Sequence, residues 1–209
     1  MCTDPGQNAD GVADVLYGVV SPSARLPVTV YGLDYLDRLG GPGQEVNYHL
    51  APPLSPVGKT YRYLDPKRDK PLWSFGFGIG YSSFAYSALA VRSAAAGGAT
   101  VTAAVANTGN VSAAEVSQLY ISSTCSPALP FPTPRLSLRG FVKNYLSPGA
   151  KAALRFELTS DDFAISFEDG TRKVPPTCSY TLSVGGAQPD DAHATSNVLT
   201  RAGFVPKGR

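Results

Sequence analysis

The side chains able to do chemistry are few. His49 and His193 are the two histidines of the 209 residues, and both fall in stretches without helix or strand periodicity. No serine, cysteine or aspartate stands at a spacing from either that would assemble a nucleophile, a base and an orienting acid. Adjacent carboxylates occur at Asp161-Asp162, Glu168-Asp169 and Asp190-Asp191. Each pair lies in or beside a turn, where aspartate is favoured because its short side chain caps and hydrogen-bonds the local backbone. They read as turn residues and not as an acid–base couple. Cys2, Cys125 and Cys178 have no metal-ligand spacing. Cys125 and Cys178 fit either of two states, a disulfide in an oxidising compartment or two partly buried reduced thiols. Asn110-Val-Ser112 is an N-glycosylation sequon in a turn. The residues therefore nominate no catalytic residue, no metal site and no cofactor.

One chemistry does suit this composition. Sugars are recognised by flat aromatic faces stacked on the apolar side of the ring beside a few hydrogen-bonding groups. Tyr48, Tyr61, Tyr63 and Trp73 are the candidates for the rim of such a site. The competing role is a core between two domains, which aromatics also dominate. Their nearness to a change of pattern around residue 83 favours that second role. The change is marked by the stretch Pro71–Phe84, which combines Trp73, Phe75, Phe77, Tyr81 and Phe84 with Gly76, Gly78 and Gly80. The glycines allow positive φ or close approach of a neighbour, and the rings supply area that must be buried. A dinucleotide loop with similar glycine spacing would open a helix, whereas Tyr81-Ser-Ser-Phe-Ala-Tyr86 alternates like a strand.

The elements that must position these residues follow from pattern and composition. A hydrophobic content of 43% can fill a core, and 21 glycines with 18 prolines imply many turns and short strands. Eighteen basic residues against sixteen acidic ones leave a net charge of +2 without a basic stripe, which argues against nucleic acid or a membrane surface as partner. No run approaches the ~18 apolar residues of a membrane span, and no charged start followed by an apolar block marks an export signal in residues 1–25. Asp4-Pro5 opens a helix, Ala9, Val12, Ala13, Val15 and Leu16 recur at helical spacing, and Gly18 suits the left-handed position after its end. Leu26–Tyr31 reads as a strand with Pro27 near an edge. Residues 32–59 form a long surface loop without periodicity. Gly58–Tyr63 reads as a short strand, and Asp65–Lys70 as a polar turn in which Lys67, Arg68 and Lys70 are offset by Asp65 and Asp69.

From Ser83 the period becomes two. Phe84–Val91, Thr100–Ala106, Glu115–Ile121, Leu136–Val142, Lys151–Leu158, Phe163–Phe167 and Tyr180–Val184 are expected as strands, separated by turns such as Asn107-Thr-Gly-Asn110 and Pro148-Gly149. About seven strands make an immunoglobulin-like sandwich. The fold class is thus α+β: the end of an α/β unit over residues 1–82, an all-β sandwich over 83–190, and a tail over 191–209 in which Val198-Leu199 and Phe204-Val205 add one more strand or fray.

Several motifs, in order, resemble glycoside hydrolase family 3, which includes β-glucosidases and β-xylosidases. Pro5-Gly-Gln7, Val12-Ala-Asp-Val-Leu-Tyr-Gly18 and Ser21-Pro-Ser-Ala-Arg-Leu-Pro-Val-Thr29 resemble the late part of that family's α/β sandwich domain. Gly58-Lys-Thr-Tyr-Arg-Tyr63 is similar to its Gly-Arg-Thr-Tyr-Arg-aromatic segment, and Leu72–Phe84 to its Pro-Phe-Gly-aromatic-Gly-Leu-Ser-Tyr-Thr-Phe segment, with Trp73-Ser74 and Ile79 as departures. Asn107-Thr-Gly109, Glu115-Val-Ser-Gln-Leu-Tyr120, Leu138-Arg-Gly-Phe141, Leu146-Ser-Pro-Gly149 and Tyr180-Thr-Leu-Ser-Val-Gly185 resemble its fibronectin type III-like domain.

The resemblance implies a hydrolase of β-linked oligosaccharides or polysaccharides, β-glucosides or β-xylosides, placed outside the cell or in the cell wall. It also implies that the catalytic pair lies elsewhere. The family's aspartate nucleophile sits on an N-terminal (β/α)₈ barrel, a unit of ~250 residues, and its glutamate acid/base upstream of the segment matched at residues 12–18. The two carboxyl groups of a retaining glycosidase stand about 5–5.5 Å apart, and no position here matches either. Residues 1–82 then complete the α/β domain, the loop aromatics face an active site built by the barrel, and the sandwich buttresses both. This chain alone is expected to be inactive. The arrangement of Asn47–Leu50 with Gly58–Tyr61 leans toward the xylosidase-like branch. The alternative is a stand-alone, non-catalytic module that binds polysaccharide or a partner protein through exposed aromatics.

Overall fold

The computed structural model describes residues 5–39, 49–167 and 169–206. Its N-terminal segment carries three helices, α1 (Pro5–Leu16), α2 (Leu33–Arg38) and α3 (Thr60–Tyr63), joined by extended and turning chain. Nine strands follow: β1 (Phe84–Ser93), β2 (Ala99–Asn107), β3 (Ala113–Cys125), β4 (Ser137–Leu146), β5 (Lys151–Leu158), β6 (Ile165–Ser166), β7 (Arg172–Lys173), β8 (Cys178–Gly185) and β9 (Val198–Phe204). A short helix, α4 (Ser160–Phe163), separates β5 from β6.

Seven of these strands build two facing antiparallel sheets, ordered β1-β2-β5 and β4-β3-β8-β9. Alternation explains their packing. β2 points Ala99, Val101, Ala103 and Val105 inward, β5 contributes Leu154, Phe156 and Leu158, and β8 contributes Tyr180, Leu182 and Val184. All of these are buried, and together they fill the space between the sheets. β3 differs from its neighbours because Ser117, Gln118, Leu119, Tyr120 and Ile121 are buried in succession. Leu119 and Ile121 belong to the core between the sheets, while Gln118 and Tyr120 face the stretch 61–76 of the N-terminal segment. A strand covered on both faces loses the inside–outside alternation of a half-exposed one.

Three expected strands take other forms. Leu26–Tyr31 bends at Pro27 and Val28, and only Val30 in it forms a bridge, to Trp73. The two stretches still exchange bonds, Leu26 N–H to Phe77 O at 2.8 Å and Gly76 N–H to Leu26 O at 2.8 Å. Pro27 has no N–H to give and Gly76 has φ +80°, so the ladder cannot run on. Gly58–Tyr63 contains the helical turn α3, despite residues that favour strands. Among the described residues no sheet edge pairs with it. Thr60 N–H donates to the Tyr31 hydroxyl at 2.7 Å, and Arg62 O accepts from Arg135 N–H at 2.6 Å. Phe163–Phe167 is divided because Thr159 and Asp162 form a capping box that turns Ser160–Phe163 into α4. Ile165–Ser166 pairs with Arg172–Lys173 outside the two main sheets.

The seventh sandwich strand is β9, which lies in the tail and pairs with β8 from Tyr180↔Phe204 to Gly185↔Val198. Within the expected loop of residues 32–59, α2 buries Tyr35 against Val57 and Leu64 in a second, small core. The helix α1 forms where expected and Gly18 follows it at φ +76°. Its Val12 and Leu16 are 58% and 75% exposed, while Ala13 and Val15 are only partly buried, so its apolar face is little covered among the described residues.

Candidate functional site

The N-terminal segment meets the sandwich through backbone that comes unusually close to side chains of β3. A Cβ at Gly76 would stand 2.3 Å from Gln118 Oε1 and 2.6 Å from the Tyr120 hydroxyl oxygen, so this position admits only glycine. The closeness lets Gln118 Nε2 donate to both Gly76 O and Gly186 O, each at 2.9 Å. Gln188 Nε2 donates to Phe75 O at 2.8 Å. The Phe75 ring stacks on Tyr61 with centroids 4.2 Å apart, and Tyr61 meets Tyr120 edge-on at 6.2 Å. Arg135 completes this side by donating from Nε to Leu64 O at 2.8 Å while pairing with Asp190.

A charged contact closes the other end of the junction. Arg25 donates from one guanidinium nitrogen to Gly78 O at 3.1 Å and from the other to Glu115 Oε2 at 2.5 Å. Glu115 is 3% exposed, and its second oxygen accepts from the Tyr86 hydroxyl at 2.8 Å. Burial pushes the Glu115 carboxyl up from its ordinary pKa, against the pull of Arg25 and the Tyr86 hydrogen bond. The same burial raises the Tyr86 and Tyr120 hydroxyls. These contacts fix the stretch 72–81 as a third layer over β3.

On the outer side of that layer the chain is apolar. Trp73, 42% exposed, stacks on Phe77 at 4.6 Å, and His193 tilts against Trp73 at 5.0 Å. Among the described residues, fourteen large apolar side chains stand exposed in the N-terminal segment and four in the rest of the chain. Leu16, Tyr17, Val19, Leu33 and Ile79 are each at least 65% exposed. Exposed apolar side chains so concentrated in one segment point to a contact surface.

The candidates for a sugar rim are thereby dispersed. Tyr48 lies outside the described residues. Tyr61 is half-buried at the junction, where its hydroxyl accepts from Leu138 N–H at 3.2 Å. Tyr63 is partly buried and lines a cavity together with Arg62, and Trp73 is the most exposed of the described candidates. Cys125 and Cys178, paired across β3 and β8, are joined as a disulfide. Asn110 is exposed in the turn between β2 and β3. Each described cavity is lined by at most one carboxylate: Asp162, Glu115, Asp190, or none. None of them therefore holds the facing carboxyl pair that glycoside cleavage with retention requires.

Arg25, Gln118, Arg135 and Gln188 escape a reading of the sequence, since their partners are distant in the chain. Glu115 leaves a trace. It shares the inward register of Ala113, Ser117, Leu119 and Ile121, and a carboxylate at such a position demands a buried partner.

Comparison with known proteins gives the frame for this junction. The fibronectin type III-like domain matches residues 115–188. Beta-glucosidase cel3A of Pyricularia oryzae is 36% identical over 209 aligned residues that cover 89% of this chain and 27% of the relative. The probable beta-glucosidase L of Aspergillus terreus is 36% identical with the same coverage of both. Among solved structures, the GH3 beta-glucosidase of Bifidobacterium adolescentis superposes with a TM-score of 0.72 at 29% identity, covering 92% of this chain and 27% of that one. The beta-D-glucoside glucohydrolase of Trichoderma reesei does so with a TM-score of 0.70 at 28% identity, covering 95% and 29%. The chain thus spans about a quarter of the length of the relatives that it matches. Over most of its length the chain is the counterpart of the C-terminal part of glycoside hydrolase family 3 β-glucosidases, with a fibronectin type III-like domain at residues 115–188.

Proposed function

We propose that this chain is the scaffold portion of an enzyme that hydrolyses β-glucosides, and that its N-terminal segment docks on the part of the enzyme that carries the catalytic carboxylates. The observation that carries this reading is the uneven exposure of apolar side chains. They crowd the segment before residue 82, where fourteen stand exposed against four in the rest of the described chain. The relatives are nearly four times as long, which leaves ample chain to cover that face. In this reading residues 1–82 close an α/β layer, 83–190 form the buttress and 191–209 supply its edge. Glucosides rank above xylosides as substrate because the relatives compared above carry β-glucosidase names. The leaning of Asn47–Leu50 toward xylosides rests partly on residues outside the described ones. Placement outside the cell suits the Cys125–Cys178 disulfide and the exposed sequon at Asn110.

Complementation tests the proposal. The chain alone should release no nitrophenol from nitrophenyl β-glucoside. Mixed with the Pyricularia oryzae enzyme lacking its own C-terminal quarter, it should restore turnover, and Leu16→Glu with Trp73→Glu should abolish the restoration without unfolding the chain. Turnover by the chain alone, lost on mutating one of its own carboxylates, would overturn the reading. Retention on insoluble β-glucan without any complementation would favour the stand-alone module instead.

A further inference from the structure

A cavity of about 380 Å³ opens where α3 and α4 meet the sheet of β3, β4 and β8. Arg62 reaches it from α3, Arg139 from β4 and Arg172 from β7, and among the described residues Asp162 of α4 is the one carboxylate in its lining. Arg139 is placed there by an irregularity of the sheet. Leu119 and Tyr120 of β3 pair with Gly140 and Leu138, so Arg139 is an extra residue in β4, and a bulge of this kind re-aims a side chain. Its Nε is buried and has no hydrogen-bond partner among the described residues. Burial and the charges of Arg62 and Arg172 hold the Arg139 guanidinium below its ordinary pKa, while Asp162 opposes them. That carboxylate is already engaged, since its Oδ2 accepts from the Thr159 N–H at 2.8 Å and the Thr159 hydroxyl at 3.1 Å. The site therefore carries an excess of positive charge and an orphaned buried donor, and such donors are rare because they forfeit their hydration without return.

We propose that this cavity binds a small oxyanion, held by the Arg139 guanidinium and flanked by Arg62 and Arg172. Guanidinium matches carboxylate and phosphate in plane and spacing, which makes it the usual partner of both. The Ser123 and Ser137 hydroxyls in the lining and a volume at the small end of ligand sites admit a single acidic sugar ring as well as a free ion. The site goes beyond the role proposed above and does not depend on it.

Calorimetric titration of the full chain with glucuronate, inorganic phosphate and neutral glucose decides the matter. One or both anions should bind and glucose should not. Binding of glucuronate alone identifies a sugar-borne carboxylate as the ligand, and binding of phosphate alone a free ion. Arg139→Gln should weaken the anion about tenfold or more, the cost of one charge-assisted hydrogen bond. Arg172→Gln, at an exposed position that spares the fold, should weaken it about threefold. In the unmutated chain the Arg139 Nε–H resonance should move on titration. Absence of binding by both anions overturns the assignment. So does binding that Arg172→Gln leaves unchanged and that never shifts the Arg139 Nε–H signal.

Discussion

Replacing Arg25 by methionine removes the counter-charge of Glu115 and keeps the apolar stem. Two bonds are lost, to Gly78 O at 3.1 Å and to Glu115 Oε2 at 2.5 Å. Glu115 is left with the Tyr86 hydroxyl and no cation in a site 3% exposed. Breaking a buried pair from one side costs about 3–5 kcal/mol, because the surviving charge is uncompensated. The remaining donor and the option of taking up a proton place this case near the lower end, at about 3 kcal/mol. Removing both charges in Arg25→Met with Glu115→Gln should cost less than Arg25→Met alone, about 1–2 kcal/mol, since no buried charge is stranded. The pH dependence follows from the direction of the shift. The Glu115 carboxyl has its pKa raised above 4.5 in the folded chain, so the folded form binds its proton more tightly than the unfolded one. Stability from this group therefore grows as the pH falls toward 4.5 and is lost as the pH rises through the folded value. Arg25→Met removes the main opposing charge, so its deficit against the unmutated chain should be greatest near neutrality and should shrink on acidification. Urea unfolding at about pH 7 and about pH 5, with the slope unchanged, reads both quantities. A deficit below about 1 kcal/mol that is the same at both pH values would refute the assignment of a buried, ion-paired carboxylate.

Other expectations are quicker to check. Cys125→Ser with Cys178→Ser opens a link across a separation of 53 residues, and chain entropy puts the loss at about 4 kcal/mol, to be seen as a lowered thermal midpoint that dithiothreitol reproduces in the unmutated chain. Gly76→Ala combines φ +80° with a clash on Gln118 and Tyr120 and should cost more than 2 kcal/mol. Gly149→Ala, at φ +74° with open space around it, should cost only about 1 kcal/mol in the same unfolding experiment. Leu16→Glu, on a side chain 75% exposed, should change the stability of the chain by less than about 0.5 kcal/mol while preventing complementation of the truncated relative.

The sandwich was legible because strands such as β2 and β5 obey one rule. From Ala99 to Asn107 each alternate residue is buried, and the pattern survives any uncertainty about partners. The first segment obeys no such rule. Thr60–Tyr63 has strand-forming residues but is shaped by bonds from Tyr31 and Arg135, which no local pattern announces. β9 offered only Val198-Leu199 and Phe204-Val205 as a signal because an edge strand buries little. Trp73 could be singled out by type, and its exposure agrees with a contact role, whereas Tyr61 looked equivalent and is spent inside the junction. The Arg25–Glu115 pair joins residues 90 apart, so only the misplaced carboxylate could hint at it.

The doubly covered strand β3 also limits how this architecture can be recombined. A graft of residues 84–204 alone would strip the lid from Gln118 and Tyr120, leaving an amide without its carbonyl at Gly76 and an aromatic face open to water. The unit that can be shuffled between proteins as a self-contained piece must start no later than Arg25, so in any chimera the seam belongs ahead of the aromatic stretch and not at the first strand of the sandwich.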